Sequence, residues 1–184
     1  MSEQPLIFEN RVVKGDGIAP EGMKLIKAFK IKADKNLGWE ERVRSFRKPL
    51  EVIITKHNID FILCEAVPLV SKGRIDMTAQ AKATFVKLGA MRGMVISLAD
   101  IHNIEFQAIS PNTWRKNIGI LQGKKDRATK KVMAIRLVNE LFDLKLKCEF
   151  TKNGKYSETK SDDDIADSIL LYCSTREEYR QKVG

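Results

Sequence analysis

The sequence predicts a mixed α/β sheet flanked by helices, and three observations carry that expectation. Residues 39–57 place Trp39, Val43, Phe46, Leu50 and Ile54 at spacings of three and four, the period of an amphipathic helix. Residues 60–65, Asp-Phe-Ile-Leu-Cys-Glu, follow directly and are apolar on both faces, as in a central strand. The helical pattern of residues 79–100 and the alternating run of residues 105–109 then repeat the order of helix and strand.

The elements follow along the chain. Residues 6–9 and 11–18 read as two short strands meeting at Asn10 in a tight hairpin. Residues 22–37 are Lys-rich and without pattern, and are expected as a surface excursion. Helix 39–57 turns Glu41, Arg44, Lys48 and Glu51 to its other side, a solvated face. Residues 66–78 form a loop with Pro68, Lys72, Gly73 and Arg74. Helix 79–100 is apolar around well over half its circumference. That predicts cover on two sides, by the sheet and another element or by a second subunit. Strand 105–109 stops at Ser110-Pro111. Residues 126–144 form a helix that is basic at its start through Arg127, Lys130 and Lys131. Residues 147–159 hold Asn153-Gly154 between β-favouring residues, a hairpin signal. Residues 161–178 form the last helix. There is no internal repeat, low-complexity tract or linker, so residues 1–184 read as a single domain with 147–159 as a hairpin insertion.

Composition narrows the function. The 184 residues are 43% hydrophobic and 31% charged, as in a globular protein with a proper core. No apolar run approaches the roughly 20 residues of a membrane span, and the N-terminus lacks the layout of a signal peptide. A cytoplasmic protein is expected, in the host cytoplasm if it is encoded by a phage. Cys64, Cys148 and Cys173 are odd in number and widely spaced, which fits reduced thiols. With His57 and His102 as the two histidines, a His-rich metal site and a Ser-His-Asp triad are disfavoured. The net charge of +9 favours a polyanionic partner, nucleic acid above all.

Against that basic background, Ser161-Asp-Asp-Asp-Ile-Ala-Asp-Ser gathers four carboxylates at the start of the last helix. Asp164 and Asp167 are three apart, on one helical face. Two readings meet here. Ser161 with Asp164 resembles a capping box, and acids in a first turn offset the helix dipole. Alternatively the acids hold a divalent cation beside a phosphate. Glu65 supports the second reading, because sites in α/β sheets open at the carboxyl ends of strands. Its ordinary alternative is a strand-end residue at the sheet rim. If the last helix crosses that end, Glu65, Asp164 and Asp167 converge, and three ionised carboxylates need cations to neutralise them. Mg²⁺ or Mn²⁺ suits such oxygen ligands, and two ions about 4 Å apart support phosphodiester hydrolysis.

Glu65 ending an apolar strand, and Asp164-Ile-Ala-Asp167-Ser-Ile-Leu, resemble the catalytic segments of the RuvC-type Holliday junction resolvases. The likeness is closest to the bacteriophage branch of these ribonuclease H-like nucleases. Gln80 to Gly93 is similar to the family's long helix. Ser110-Pro-Asn-Thr-Trp-Arg-Lys116 is similar to its strand-end and Trp-Lys segment, and Gly123 to Val132 to its Lys-bearing helix start. The resemblance spans about residues 6–175. It implies a ribonuclease H-like mixed sheet flanked by helices, in a homodimer that cuts four-way DNA junctions with Mg²⁺ or Mn²⁺, two ions per site. Carried over, Glu65, Asp164 and Asp167 are metal ligands, and Lys130 or Lys131 is the basic residue near the scissile phosphate. Lys116 is a DNA contact, and Lys72, Arg74, Arg115, Lys124 and Lys125 join it as candidate DNA-binding residues.

The sequence departs from the family's pattern at its start. The family's first strand ends in an Asp followed by a Gly-bearing turn, whereas residues 6–9 already resemble the second strand and 11–18 the third. Only residues 1–5 precede them, so the N-terminal strand and the fourth acid are missing from the sequence as read. Neither Asp16 nor Glu3 replaces that acid. Three explanations stand: a truncated product, a catalytically inactive relative that keeps junction binding, or a carboxylate recruited from Asp162 or Asp163. The retention of Glu65, Asp164 and Asp167 favours the first. Pro68 also stands where some members carry an aromatic residue that stacks on a junction base.

Overall fold

The structure is a computed structural model and describes residues 7–9, 24–28, 30–31, 34, 36–66, 79–120 and 126–175. It divides into two compact units, one built on residues 31–111 and the other on residues 3–30 with 112–184.

The first unit begins with α1, Trp39–His57. The Gly38 N–H donates to the Glu41 carboxylate at 3.2 Å, and Glu40 and Glu41 lie in the first turn, where the helix dipole favours negative charge. Asn58 closes the helix in the left-handed region at φ 48°, a conformation asparagine tolerates better than most side chains. The chain then enters β3, Phe61–Glu65, crosses through α2, Ala79–Ile101, and returns as β4, Glu105–Ile109. β3 and β4 are parallel, in register from Phe61 opposite Glu105 to Glu65 opposite Ile109. Parallel neighbours require a long crossover, and α2 supplies it. Ile54, Leu98, Ala99 and Ile104 form the core of this unit, with Leu50, Ile59, Ile62, Met94 and Phe106 against them. The expectations for residues 39–57, 60–65, 79–100 and 105–109 hold.

α2 is less covered than its apolar circumference predicts. Leu98 and Ala99 are buried, but Val86 and Leu88 are 57% and 47% exposed. The described part of this unit therefore covers α2 at Leu98 and Ala99 and leaves Val86, Leu88 and the terminal Ile101, 63% exposed, uncovered.

The second unit holds an antiparallel pair, β1 (Ile7–Glu9) with β2 (Lys24–Lys27), in which Phe8 faces Leu25. The expected surface excursion over 22–37 is thus corrected: its Lys24-Leu-Ile-Lys stretch is a strand, and β1 pairs with it. Backbone pairing overrides a side-chain pattern that shows no alternation. The strand expected over 11–18 and the turn at Asn10 lie outside the described residues. α3, Pro111–Asn117, begins at the proline where β4 was expected only to stop; proline suits a first helical position because it has no N–H to satisfy. α4, Arg127–Phe142, and α5, Asp163–Cys173, pack together through Ala134, Ile135, Val138, Ala166, Ile169 and Leu170, all at most 1% exposed. Between them, Phe150 and Tyr156 form one antiparallel bridge around a turn in which Gly154 has φ +72°. The Asn153-Gly154 hairpin is present in this short form.

Among the described residues there are five α-helices and the two sheets: a mixed α/β fold. No helix among them is long and apolar enough to cross a membrane.

Candidate functional site

In the first unit, Glu65 is the last residue of β3 and is exposed, beside the end of β4 at Ile109. The Ala66 N–H donates to the Ile109 carbonyl at 2.8 Å, so the backbone stays paired one residue beyond the acid. The preceding Cys64 is half-buried, and burial pushes its thiol up to about 11, against a lowering pull from Arg92, which disfavours the thiolate. The strand end thus presents a carboxylate and withholds a thiol.

In the second unit the acids of α5 separate into distinct roles. Asp162 is the N-cap residue by position, but its carboxylate accepts the Lys147 backbone N–H at 2.9 Å. The Ser161 hydroxyl accepts the Glu149 N–H at 2.9 Å. The capping box read from Ser161 and Asp164 is therefore not formed. Both residues needed for it are turned away, and the side-chain bonds made at the start of the helix tie residues 147–149 to it. Asp163 is buried and forms an ion pair with Lys131 of α4. Its place as a carboxylate open for recruitment is corrected by that burial, because a sealed and paired acid has no face to offer a ligand.

Asp164 is different. Its side chain is 76% exposed, and its charge is answered by Lys30 at 3.7 Å. The Lys30 amine also donates to the Ser161 carbonyl at 3.1 Å and lies 4.0 Å from Asp162. One turn further on, Asp167 accepts from the Arg115 guanidinium at 3.0 Å, with side-chain exposures of 19% and 24%. Arg115 in turn lies over the ring of the fully buried Trp114, 4.6 Å from its centroid. That position combines a cation–π contact with an ion pair and fixes the guanidinium.

The candidate basic residues also separate. Lys131 is committed to Asp163. Lys130 is half-buried in the first turn of α4, whose start is fixed by Asp126 accepting the Thr129 N–H at 2.8 Å. Lys116 is exposed on α3. Lys72, Arg74, Lys124 and Lys125 lie outside the described residues, as do Pro68 and the loop that carries it. Lys30 was missed in the sequence, where nothing in its spacing separates it from the neighbouring lysines. Its importance comes from contact across the fold, with the start of a helix more than a hundred residues away.

A divalent cation needs several oxygen ligands together. Among the described residues no three acids, histidines or cysteines lie close enough to hold one. Asp164 and Asp167 supply suitable oxygens, but each already faces a protein cation. The described side chains as they stand do not fit a metal centre.

No protein-family model and no curated protein matches this sequence. Solved structures do. The chain resembles Thermus thermophilus RuvC in complex with a Holliday junction substrate, with a TM-score of 0.58 and 13% identity over 99% of this chain and 94% of that one. A second Thermus thermophilus RuvC structure matches with a TM-score of 0.56 and 13% identity, over 96% of this chain and 94% of that one. At this identity the likeness is one of fold. The chain has a RuvC-like fold.

Proposed function

We propose that this protein is an endodeoxyribonuclease that resolves four-way DNA junctions by phosphodiester hydrolysis with Mg²⁺ or Mn²⁺, as a homodimer of the bacteriophage-like branch of the ribonuclease H-like nucleases. One observation carries the reading furthest. Asp164 is held out in solvent on a helix start that does not use it as a cap, one turn from Asp167. An acid left largely in solvent and not used as a cap, in a protein of net charge +9, favours a ligand role over a capping role. The reading assigns Glu65, Asp164 and Asp167 as the acids and Lys130 as the base-rich helix start's phosphate contact, since Lys131 is already engaged. Lys116 and Arg115, with Lys72, Arg74, Lys124 and Lys125, are its DNA contacts. The RuvC-like fold supports branched DNA as the substrate, because a structure of that fold holds a Holliday junction. The exposed Val86 on α2, with Gly89 and Gly93 open on the same side of the helix, supports a second copy of the chain as partner.

The test is incubation of the protein with a four-way junction in Mg²⁺ or Mn²⁺. Paired nicks that disappear in Asp164→Asn support the reading, and equal products from both proteins contradict it. A second reading has its own observation: Asp164 and Asp167 are both matched by protein cations, as suits a catalytically inactive junction-binding relative. It predicts junction binding that weakens steeply with salt, without metal-dependent cutting.

A further inference from the structure

Residues 147–160, between α4 and α5, form a short hairpin that carries an exposed aromatic side chain among lysines. We propose that this hairpin is a DNA contact in its own right: Phe150 stacks on an unpaired base, and Lys147, Lys152 and Lys155 take the flanking phosphates.

The hairpin is held by its backbone. The Thr151 N–H donates to the Lys155 carbonyl at 2.7 Å, and the Ser157 N–H to the Glu149 carbonyl at 2.9 Å. Gly154, at φ +72°, makes the turn. The base of the hairpin is tied to the start of α5, because the Ser161 hydroxyl accepts the Glu149 N–H and the Asp162 carboxylate accepts the Lys147 N–H, each at 2.9 Å. A side chain on such a frame is presented with little backbone ordering left to lose on binding. Phe150 lies opposite Tyr156 in the antiparallel bridge, so the two side chains share one face. Their rings stand at 76° with centroids 6.1 Å apart, so neither stacks flat on the other. Tyr156 is half-buried, whereas Phe150 keeps 50% of its surface in water.

Charge selects the occupant. Lys145, Lys147, Lys152, Lys155 and Lys160 are exposed along this stretch, and none pairs with an acid among the described residues. Its two acids are Glu149 and Glu158, and Arg127 already holds Glu158 at 2.9 Å. An apolar protein surface would meet unpaired ammonium groups here. A nucleic-acid strand instead offers phosphates to the lysines and a π-face to the ring. Bases inside an intact duplex are already stacked on one another, so the ring finds its base where pairing is interrupted.

The inference rests on the DNA binding in the proposed function and not on cleavage. Its test is the affinity of the full chain for a four-way junction, a single strand and an unbroken duplex, measured by fluorescence anisotropy without divalent metal. Phe150→Ala and Phe150→Leu are each expected to weaken the junction and the single strand about tenfold, the scale of losing one stacked base, and the duplex less than twofold. Phe150→Trp, which keeps an aromatic face, is expected to stay near the parent. Lys152→Gln/Lys155→Gln is expected to weaken all three DNAs and to lower the slope of log affinity against log salt by about 1.5 to 2. Lys48→Gln/Lys56→Gln removes two exposed charges from α1 and is expected to do neither. Thermal melts by circular dichroism establish that each variant is folded, and Phe150→Leu carries the test if Phe150→Ala is not. Unchanged junction binding in the hairpin variants overturns the proposal and leaves the proposed function standing. Equal losses on duplex and interrupted DNA, or full affinity in Phe150→Leu, overturn the stacking contact. A loss in Lys48→Gln/Lys56→Gln as large as in the hairpin pair overturns the phosphate contacts, since net charge alone would explain it. A parent that binds no DNA removes both this proposal and the proposed function. The expected binding pattern in a protein that cuts no junction removes the nuclease reading and supports the hairpin contact.

Discussion

Lys131 of α4 and Asp163 of α5 form an ion pair almost sealed from water, between two helices whose packing builds the core of the second unit. The acid sits in the first turn of α5, immediately before Asp164, so the pair fixes the register from which Asp164 and Asp167 project. Removing one member leaves the other charge buried without its partner, which costs far more than the pair contributes. Asp163→Asn and Lys131→Met are each expected to destabilise the protein by about 3 kcal/mol. The double variant Asp163→Leu/Lys131→Met is expected to recover most of that loss. Urea unfolding of the three variants checks it; near-neutral single variants would contradict a structural role for the pair.

α2 makes a separate prediction. Val86 and Leu88 are exposed, and a Cβ built at Gly89 or Gly93 meets nothing within 4 Å, so this stretch has room for another surface. If a second copy covers the Val86 side of α2, Val86→Glu places a charge in that contact and raises the dimer dissociation constant about tenfold or more. Sedimentation equilibrium reads the change. A parent chain that sediments as a monomer, or a variant that dimerises as well as the parent, would contradict it.

Acid should loosen the start of α4. Asp126 accepts the Thr129 backbone N–H and hydroxyl, each at 2.8 Å, and these bonds, the backbone one first, hold its carboxyl below the ordinary value of 3.8. A lowered folded pKa means that the contribution of the cap is fully present above the ordinary value and is lost as pH falls through the folded one. Asp126→Ala is therefore expected to melt below the parent at neutral pH, with the gap closing as the solution is acidified below 3.8. A gap that persists unchanged in acid would show that the carboxylate charge is not what stabilises this helix, whose first turn holds Lys130.

Much of the fold was legible because its elements carry their own signals. Helix 39–57 has an apolar stripe that a strand could not bury, β3 is a short apolar run ending in an acid, and β4 is an alternating run that stops at Ser110-Pro111. β2 was not legible. Lys24-Leu-Ile-Lys shows no alternation, and its pairing with β1 is made by backbone groups that every residue carries. α3 was hidden for a related reason: Pro111 ends a strand and starts a helix equally well. At the site, the residue types were readable and the division of labour was not. Nothing in Asp162-Asp-Asp-Ile-Ala-Asp167 says that Asp163 faces inward to Lys131 while Asp164 faces water. Helical phase against α4 decides that, through Ala166, Ile169 and Leu170 on the same buried side as Asp163. Lys30 and Arg115 could not be matched to their acids by spacing, because both contacts are long-range in sequence.

The central claim is that Asp164 and Asp167 serve cleavage of a branched DNA. The most direct measurement is strand-resolved mapping of nicks in a four-way junction, each strand labelled in turn, with Mg²⁺ or Mn²⁺ present. The account predicts nicks at matching positions on two opposite strands. Both Asp164→Asn and Asp167→Asn should slow them by about 100-fold or more, the scale of losing a group that stabilises developing charge. A junction that is bound but left intact under these conditions, or one nicked equally by the parent and both variants, would contradict it.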